Sequence, residues 1–168
     1  MKKQTEKNPH SVLFVCTYNL CRSPIAAAYF SEMVKQETEY EWEIGSAGIW
    51  AKNGLPALKP VQQIMGMHGI DISSHISRKV TQDIVDSYSL ILTMERRHKE
   101  LLLSEYQYLE RRLFMLTEMS GVVWTIPDPA GNNLRDYDYV AKEIKGWLNI
   151  GRNNISILAV DKTTTPTE

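Results

Sequence analysis

Cys16, Arg22 and Ser23 carry the chemistry that this chain most plainly offers. They form a cysteine, five residues, then arginine and serine. A thiol is a weak nucleophile until it ionises, and nearby positive charge favours the thiolate. Arg22 supplies a full charge. The amide N–H groups of Thr17, Tyr18, Asn19, Leu20 and Cys21 could converge in the concavity of a short loop and add partial charge. The same features suit a phosphate dianion. A guanidinium can hold two phosphate oxygens in a planar fork, which lysine cannot reproduce. Ser23 could hydrogen-bond a Cys16 thiolate and stabilise it as a leaving group. A cysteine at the end of a buried strand is, alone, usually a small apolar side chain. The pattern as a whole, not Cys16 by itself, points to phosphate.

Elements on both sides must hold this loop in place. Residues 11–16 are an apolar run, consistent with a central parallel strand buried on both faces. Ser23-Pro24 reads as a helix start, with the serine as cap and proline in the first turn. Ile25, Ala28, Tyr29, Met33 and Val34 continue at helical spacing. Residues 40–45 alternate as a second strand, and 52–56 are a loop. Residues 60–68 read as a helix stopped at Gly69, and 81–85 as a short helix with Asp83 in its first turn. A second buried strand covers 89–94, a helix 95–106, and a weaker strand 112–116. Pro127-Asp128-Pro129 interrupts regular structure. An amphipathic helix covers 134–147, and the stretch from 155 to 160 either packs or adds an edge strand. The alternation predicts an α/β fold: one domain over residues 10–152, built on an open, mostly parallel four-stranded twisted sheet flanked by helices. Ligands of such sheets bind at the carboxyl ends of the strands, where the Cys16 loop lies. Residues 153–168 read as an extension, disordered at its end, and residues 1–9 as frayed.

Composition narrows the classes. The chain has 168 residues, 43% hydrophobic and 23% charged, with a net charge of −1. No basic field points to nucleic acid, and no run approaches the roughly 18 apolar residues of a membrane span. The two cysteines, Cys16 and Cys21, make neither a disulfide framework nor, with four scattered histidines, a metal site. A reduced, cytoplasmic setting with a reactive thiol follows.

At the loop the chain resembles the low-molecular-weight protein tyrosine phosphatases, whose loop reads Cys-x-Gly-Asn-x-Cys-Arg-Ser after an apolar N-terminal strand. Ser46-Ala47-Gly48 resembles the family's Ser-Ala-Gly, His75 with Arg78 its His-x-x-Arg, Leu90 to Glu95 its strand ending in an acidic residue, and Asp128-Pro129 its late Asp-Pro. The resemblance implies a phosphatase that uses no metal or other cofactor and acts on phosphorylated protein or a small aryl phosphate, as a monomer or weak dimer. Cys16 would attack phosphorus and form a phosphocysteine. Arg22 and the loop from Thr17 to Ser23 would bind the phosphoryl group. Asp128 would protonate the leaving phenolate, then activate water. Asn19, Ser46 and His75 would brace the loop. Trp50 would line the pocket, or simply pack.

Departures from the pattern bear on substrate. Tyr18 stands where the family has glycine; it would strain the loop or line its mouth. Ala130 replaces an aromatic residue after Asp-Pro. Leu20 stands where relatives acting on phosphoarginine carry threonine, which favours phosphotyrosine. Protein-arginine phosphatase activity and a weakened phosphoprotein-binding module are the alternatives. An arsenate reductase would need further cysteines, and none follows Cys21. Cys21 would either trap an oxidised Cys16 as a disulfide or only pack.

Overall fold

The computed structural model describes residues 9–129, 131 and 133–160. The fraying expected for residues 1–9 falls outside the described residues except at Pro9, which instead opens the first strand through its pairing with Glu41; the disorder expected at the end of the chain and the replacement at Ala130 also lie outside them. Four parallel strands, β1 (Pro9–Cys16), β2 (Glu41–Gly48), β3 (Leu90–Thr93) and β4 (Leu113–Met115), form one sheet in the order β2-β1-β3-β4. Among the described residues five α-helices accompany them: α1 (Arg22–Val34), α2 (Lys59–Met67), α3 (Gln82–Asp86), α4 (Arg96–Glu105) and α5 (Leu134–Leu158). The expected α/β class and four-stranded sheet are those observed.

The alternation of β1 explains the two layers. Val12, Phe14 and Cys16 face one core with Ile25, Ala26, Tyr29 and Phe30 of α1 and Ile144 and Leu148 of α5. Leu13 and Val15 face the other, with Val85 of α3, Leu102 of α4, and Ile91 and Leu113 of the neighbouring strands. A strand apolar on both faces must be covered on both, which places β1 in the middle. The chain leaves β1 for β2 on one side and returns to β3 on the other. That reversal opens a crevice above the carboxyl end of β1, where open α/β sheets bind ligands.

Three local readings change. Ser23 is not a helix cap: α1 begins at Arg22, two residues before Pro24, with Cys21 as cap and no side-chain capping bond. β2 runs on through Ser46-Ala47-Gly48, because pairing with Phe14, Val15 and Cys16 continues past the residues of high strand propensity. α5 continues past Trp147 and crosses position 153, where the sequence suggests a separate extension. Its second half contains asparagines and glycines of poor helix propensity. Burial of Leu148 and Ile155 in the core outweighs that local penalty, and Gly151 packs so close to Met119 that a Cβ would overlap it. After α5, Val160 forms one antiparallel bridge with His10 rather than a strand. α2 is tied to α5 through His68, which bonds Tyr29 Oη by Nδ1 and Asp138 Oδ1 by Nε2 at 2.8 Å.

Candidate active site

β1 ends at Cys16, the chain turns through residues 17–21, and α1 starts at Arg22. Both ends of the loop are therefore anchored in regular structure. Cys16 is 3% exposed, and its Sγ lies 3.0 Å from Ser23 Oγ. Ser23 Oγ also accepts from Asn19 Nδ2 (2.9 Å) and faces the Ala47 carbonyl (3.3 Å). Its single proton can thus turn to the carbonyl or to a thiolate.

Asn19 is the hub of the loop. It is fully buried, with φ 58°, the one non-glycine residue of positive φ among the described residues. Asparagine tolerates this conformation better than most side chains. Its Nδ2 also donates to Ser46 Oγ (2.8 Å), its Oδ1 accepts from the Arg78 backbone N–H (2.9 Å), and its carbonyl accepts from His75 Nε2 (2.8 Å). That last bond places the His75 proton on Nε2. Burial pushes the His75 pKa down, against the opposing effect of the Asn19 bond. Arg78 in turn donates Nε to the Ser46 carbonyl and Nη2 to Tyr88 Oη, both at 2.9 Å. Gly48, at the end of β2, lies against the loop so closely that a Cβ would stand 2.7 Å from Asn19 N and from the Tyr18 carbonyl carbon. Asn19→Ala removes three side-chain bonds and leaves alanine at positive φ. It is expected to lower stability by about 2–4 kcal/mol and kcat by about 10–100-fold. Denaturant unfolding and steady-state kinetics check this; a variant like the wild type in both would remove bracing from the account.

Tyr18 does not strain the loop. The positive φ falls on Asn19, so the family's glycine position needs no left-handed backbone here, and the Tyr18 side chain is 54% exposed.

Arg22 is 1% exposed and bonded along its edges. Nη1 donates to Glu95 Oε1 (2.5 Å) and to the Ile126 carbonyl (2.9 Å), Nη2 to Thr17 Oγ1 (3.2 Å), and Nε lies 3.2 Å from Asp128 Oδ1. Asp128 follows Ile126, which is fully buried and donates its N–H to the Met94 carbonyl at 3.0 Å. The proline-rich segment is thereby pinned beyond β3 and delivers Asp128 to the loop, its carboxylate 56% exposed on the open side. Burial acts to raise the Glu95 pKa, but the Arg22 hydrogen bond and charge hold the carboxyl below its usual range. Trp50 donates its backbone N–H to the Thr17 carbonyl (2.9 Å), and its ring, half exposed, carries the Arg97 guanidinium at 5.3 Å. Burial pushes the Cys21 thiol pKa well up.

A strand–loop–helix with cysteine, arginine and a returning aspartate is now joined by direct comparison. The family model described as low molecular weight phosphotyrosine protein phosphatase matches residues 11–150. The chain belongs to this family. It is 30% identical over 139 residues to a protein-arginine-phosphatase of Bacillus subtilis, covering 82% of this chain and 91% of that one. It is 32% identical over 142 residues to the probable low molecular weight protein-tyrosine-phosphatase EpsP of Ralstonia nicotianae, covering 82% and 93%. The crystal structure of a low molecular weight protein tyrosine phosphatase from T. tengcongensis superposes with TM-score 0.80 at 33% identity, covering 86% of this chain and 99% of that one. The expected family and phosphatase class therefore stand.

Of the residues expected from the sequence reading, the structure joins Cys16, Asn19, Ser23, Ser46 and His75 in one hydrogen-bonded network and Thr17, Arg22 and Asp128 in a second around the same loop. Glu95 enters that reading only as the acidic residue after a strand, with no partner assigned. His98, whose Nε2 lies 2.9 Å from Thr17 Oγ1, and the Ile126 carbonyl are missed. Their partners are far along the chain, and no local pattern announces them. Gly48 carried a signal in the Ser-Ala-Gly motif, but not the reason for it. Among the described residues no helix is long and apolar enough to cross a membrane.

Proposed function

We propose that Cys16 is the nucleophile of a protein-tyrosine phosphatase reaction that proceeds through phosphocysteine. The observation that carries this reading is the convergence on Arg22 of the Cys16 loop on one side and Asp128 on the other, with Nε 3.2 Å from Oδ1. In this reading a phosphoryl oxygen of the substrate takes the place of Oδ1 at Nε. Arg22 and the loop amides then bind the equatorial oxygens and stabilise charge as the Cys16 sulfur forms its bond to phosphorus. Asp128, freed from Arg22 but still beside the phosphoryl group, takes up a proton from solvent and gives it to the leaving phenolate as the P–O bond breaks. It then takes a proton from the water that cleaves the S–P bond, and Ser23 stabilises the departing thiolate. The positive charge is built into the protein, so the reading requires no metal.

Phosphotyrosine is the reading we favour: Tyr18 and Trp50 are exposed aromatic residues on or bonded to the loop and Leu20 is a half-buried apolar one, and in this reading they would wall the mouth of the site. Phosphoarginine is the second reading, motivated by relatives named protein-arginine-phosphatase. The purified protein is expected to hydrolyse para-nitrophenyl phosphate with EDTA present, and phosphotyrosine peptides faster than phosphoserine or phosphoarginine peptides. No turnover above that of Cys16→Ser would remove the enzyme mechanism, and a preference for phosphoarginine would replace the substrate. Asp128→Ala is expected to cut kcat by about 10²–10⁴-fold for leaving groups of high pKa and far less for those of low pKa. An equal loss for both would remove Asp128 as the acid.

A further inference from the structure

The geometry points to His98 and Thr17 as a positioning pair that holds the Arg22 guanidinium in register for phosphate; this rests on the phosphatase reading above. His98 lies in the first turn of α4 and is fully buried. Its Nε2 is 2.9 Å from Thr17 Oγ1, and the same oxygen is 3.2 Å from Arg22 Nη2. A chain of contacts thus runs from α4 through the loop to the arginine. Glu95 and the Ile126 carbonyl hold Nη1. Without Thr17, Nη2 would have no side-chain partner among the described residues, and once phosphate displaces Asp128 from Nε only the Nη1 contacts would fix the guanidinium plane.

The state of His98 follows from its surroundings. It faces Glu95 (Oε1 3.7 Å from Nε2) and Arg97 on its own helix, and Arg22 from α1. Burial, with the two arginine charges, outweighs Glu95 and pushes its pKa down to about 4, so the ring is neutral near pH 7. Its Nδ1 is buried and has no partner among the described residues. A proton on Nδ1 would leave a buried N–H unpaired, so the better tautomer carries it on Nε2 and donates to Thr17 Oγ1. Thr17 then accepts from both His98 and Arg22. A neutral donor serves here where a cation would repel Arg22.

An unpaired buried ring nitrogen is a poor choice for stability alone. An apolar side chain in its place would leave Thr17 still bonded to Arg22, so the fold does not need this histidine. Function and stability are therefore expected to separate. His98→Leu should lower kcat for para-nitrophenyl phosphate by about 10-fold or more and weaken inorganic phosphate binding by a similar factor, while its denaturation midpoint stays equal or rises. His98→Gln, which returns an N–H donor near the position of Nε2, should recover part of both losses. Thr17→Val should behave like His98→Leu, and the double variant should lose little more than either single one, because both act through one contact chain. Kinetics and phosphate binding by calorimetry at pH 7 read all four variants. Wild-type-like phosphate affinity in both His98→Leu and Thr17→Val, additive losses, or losses that track unfolding would each overturn the pairing. A wild type that binds phosphate without turnover would sink only the phosphatase reading, since phosphate affinity alone still decides on His98.

Discussion

Cys16→Ser is expected to reduce turnover of para-nitrophenyl phosphate by at least about 10⁴-fold, to the background level. The substitution changes one atom at a buried position, and the new hydroxyl can keep the contact that Sγ makes with Ser23 Oγ at 3.0 Å. The fold should therefore persist, with stability changed by about 1 kcal/mol or less. What is lost is ionisation. A serine hydroxyl becomes an alkoxide only with a general base beside it. Among the described residues Cys16 Sγ bonds the Ser23 hydroxyl, which is not a general base. The described contacts of the site include no base placed to make an alkoxide from an alcohol at this position. Kinetics beside a thermal melt separate the two effects; turnover within 10-fold of wild type on a stable fold would contradict the account.

Arg22→Lys is expected to cost about 10³-fold in kcat/KM, comparable to removing an oriented transition-state donor. Charge is preserved, so geometry alone is at issue. The guanidinium reaches Glu95 and the Ile126 carbonyl by Nη1, Thr17 by Nη2 and Asp128 by Nε, in one plane and at once. An ammonium has three donors on one atom and cannot span these positions. The Ile126 carbonyl would lose its Arg22 donor, while the Ile126 N–H keeps its bond to the Met94 carbonyl. Stability is expected to fall by about 1–3 kcal/mol, and inhibition by inorganic phosphate to weaken together with kcat/KM. Phosphate inhibition unchanged in Arg22→Lys would show that the fork does not hold the anion.

The parts of this account that are local in sequence were legible in it. The apolar run ending at Cys16 has to be a central strand, and cysteine and arginine on one short loop share one helix start. The family's Asp-Pro and His-x-x-Arg motifs then supplied Asp128 and His75. What could not be read depends on where the sheet order brings distant residues. Glu95 meets Arg22 because β3 lies beside β1, and the Ile126 carbonyl meets it because the proline-rich segment is pinned to Met94. A glycine replaced by Tyr18 suggests strain or a lining role; the loop's positive φ falls on Asn19 instead, which sequence alone does not show. The length of α5 was hidden for a related reason. Its last two turns are held by burial of Ile155, and helix propensity there reads as an end.

The central claim is a covalent phosphoryl group on Cys16 during turnover. Rapid acid quench of the protein turning over an aryl phosphate, followed by peptide mass spectrometry, tests it most directly. The account predicts a phosphorylated peptide whose modification maps to Cys16 and is absent from Cys16→Ser. An enzyme that turns over while Cys16 stays unmodified at every quench time, or that carries the phosphoryl group on another residue, would contradict it.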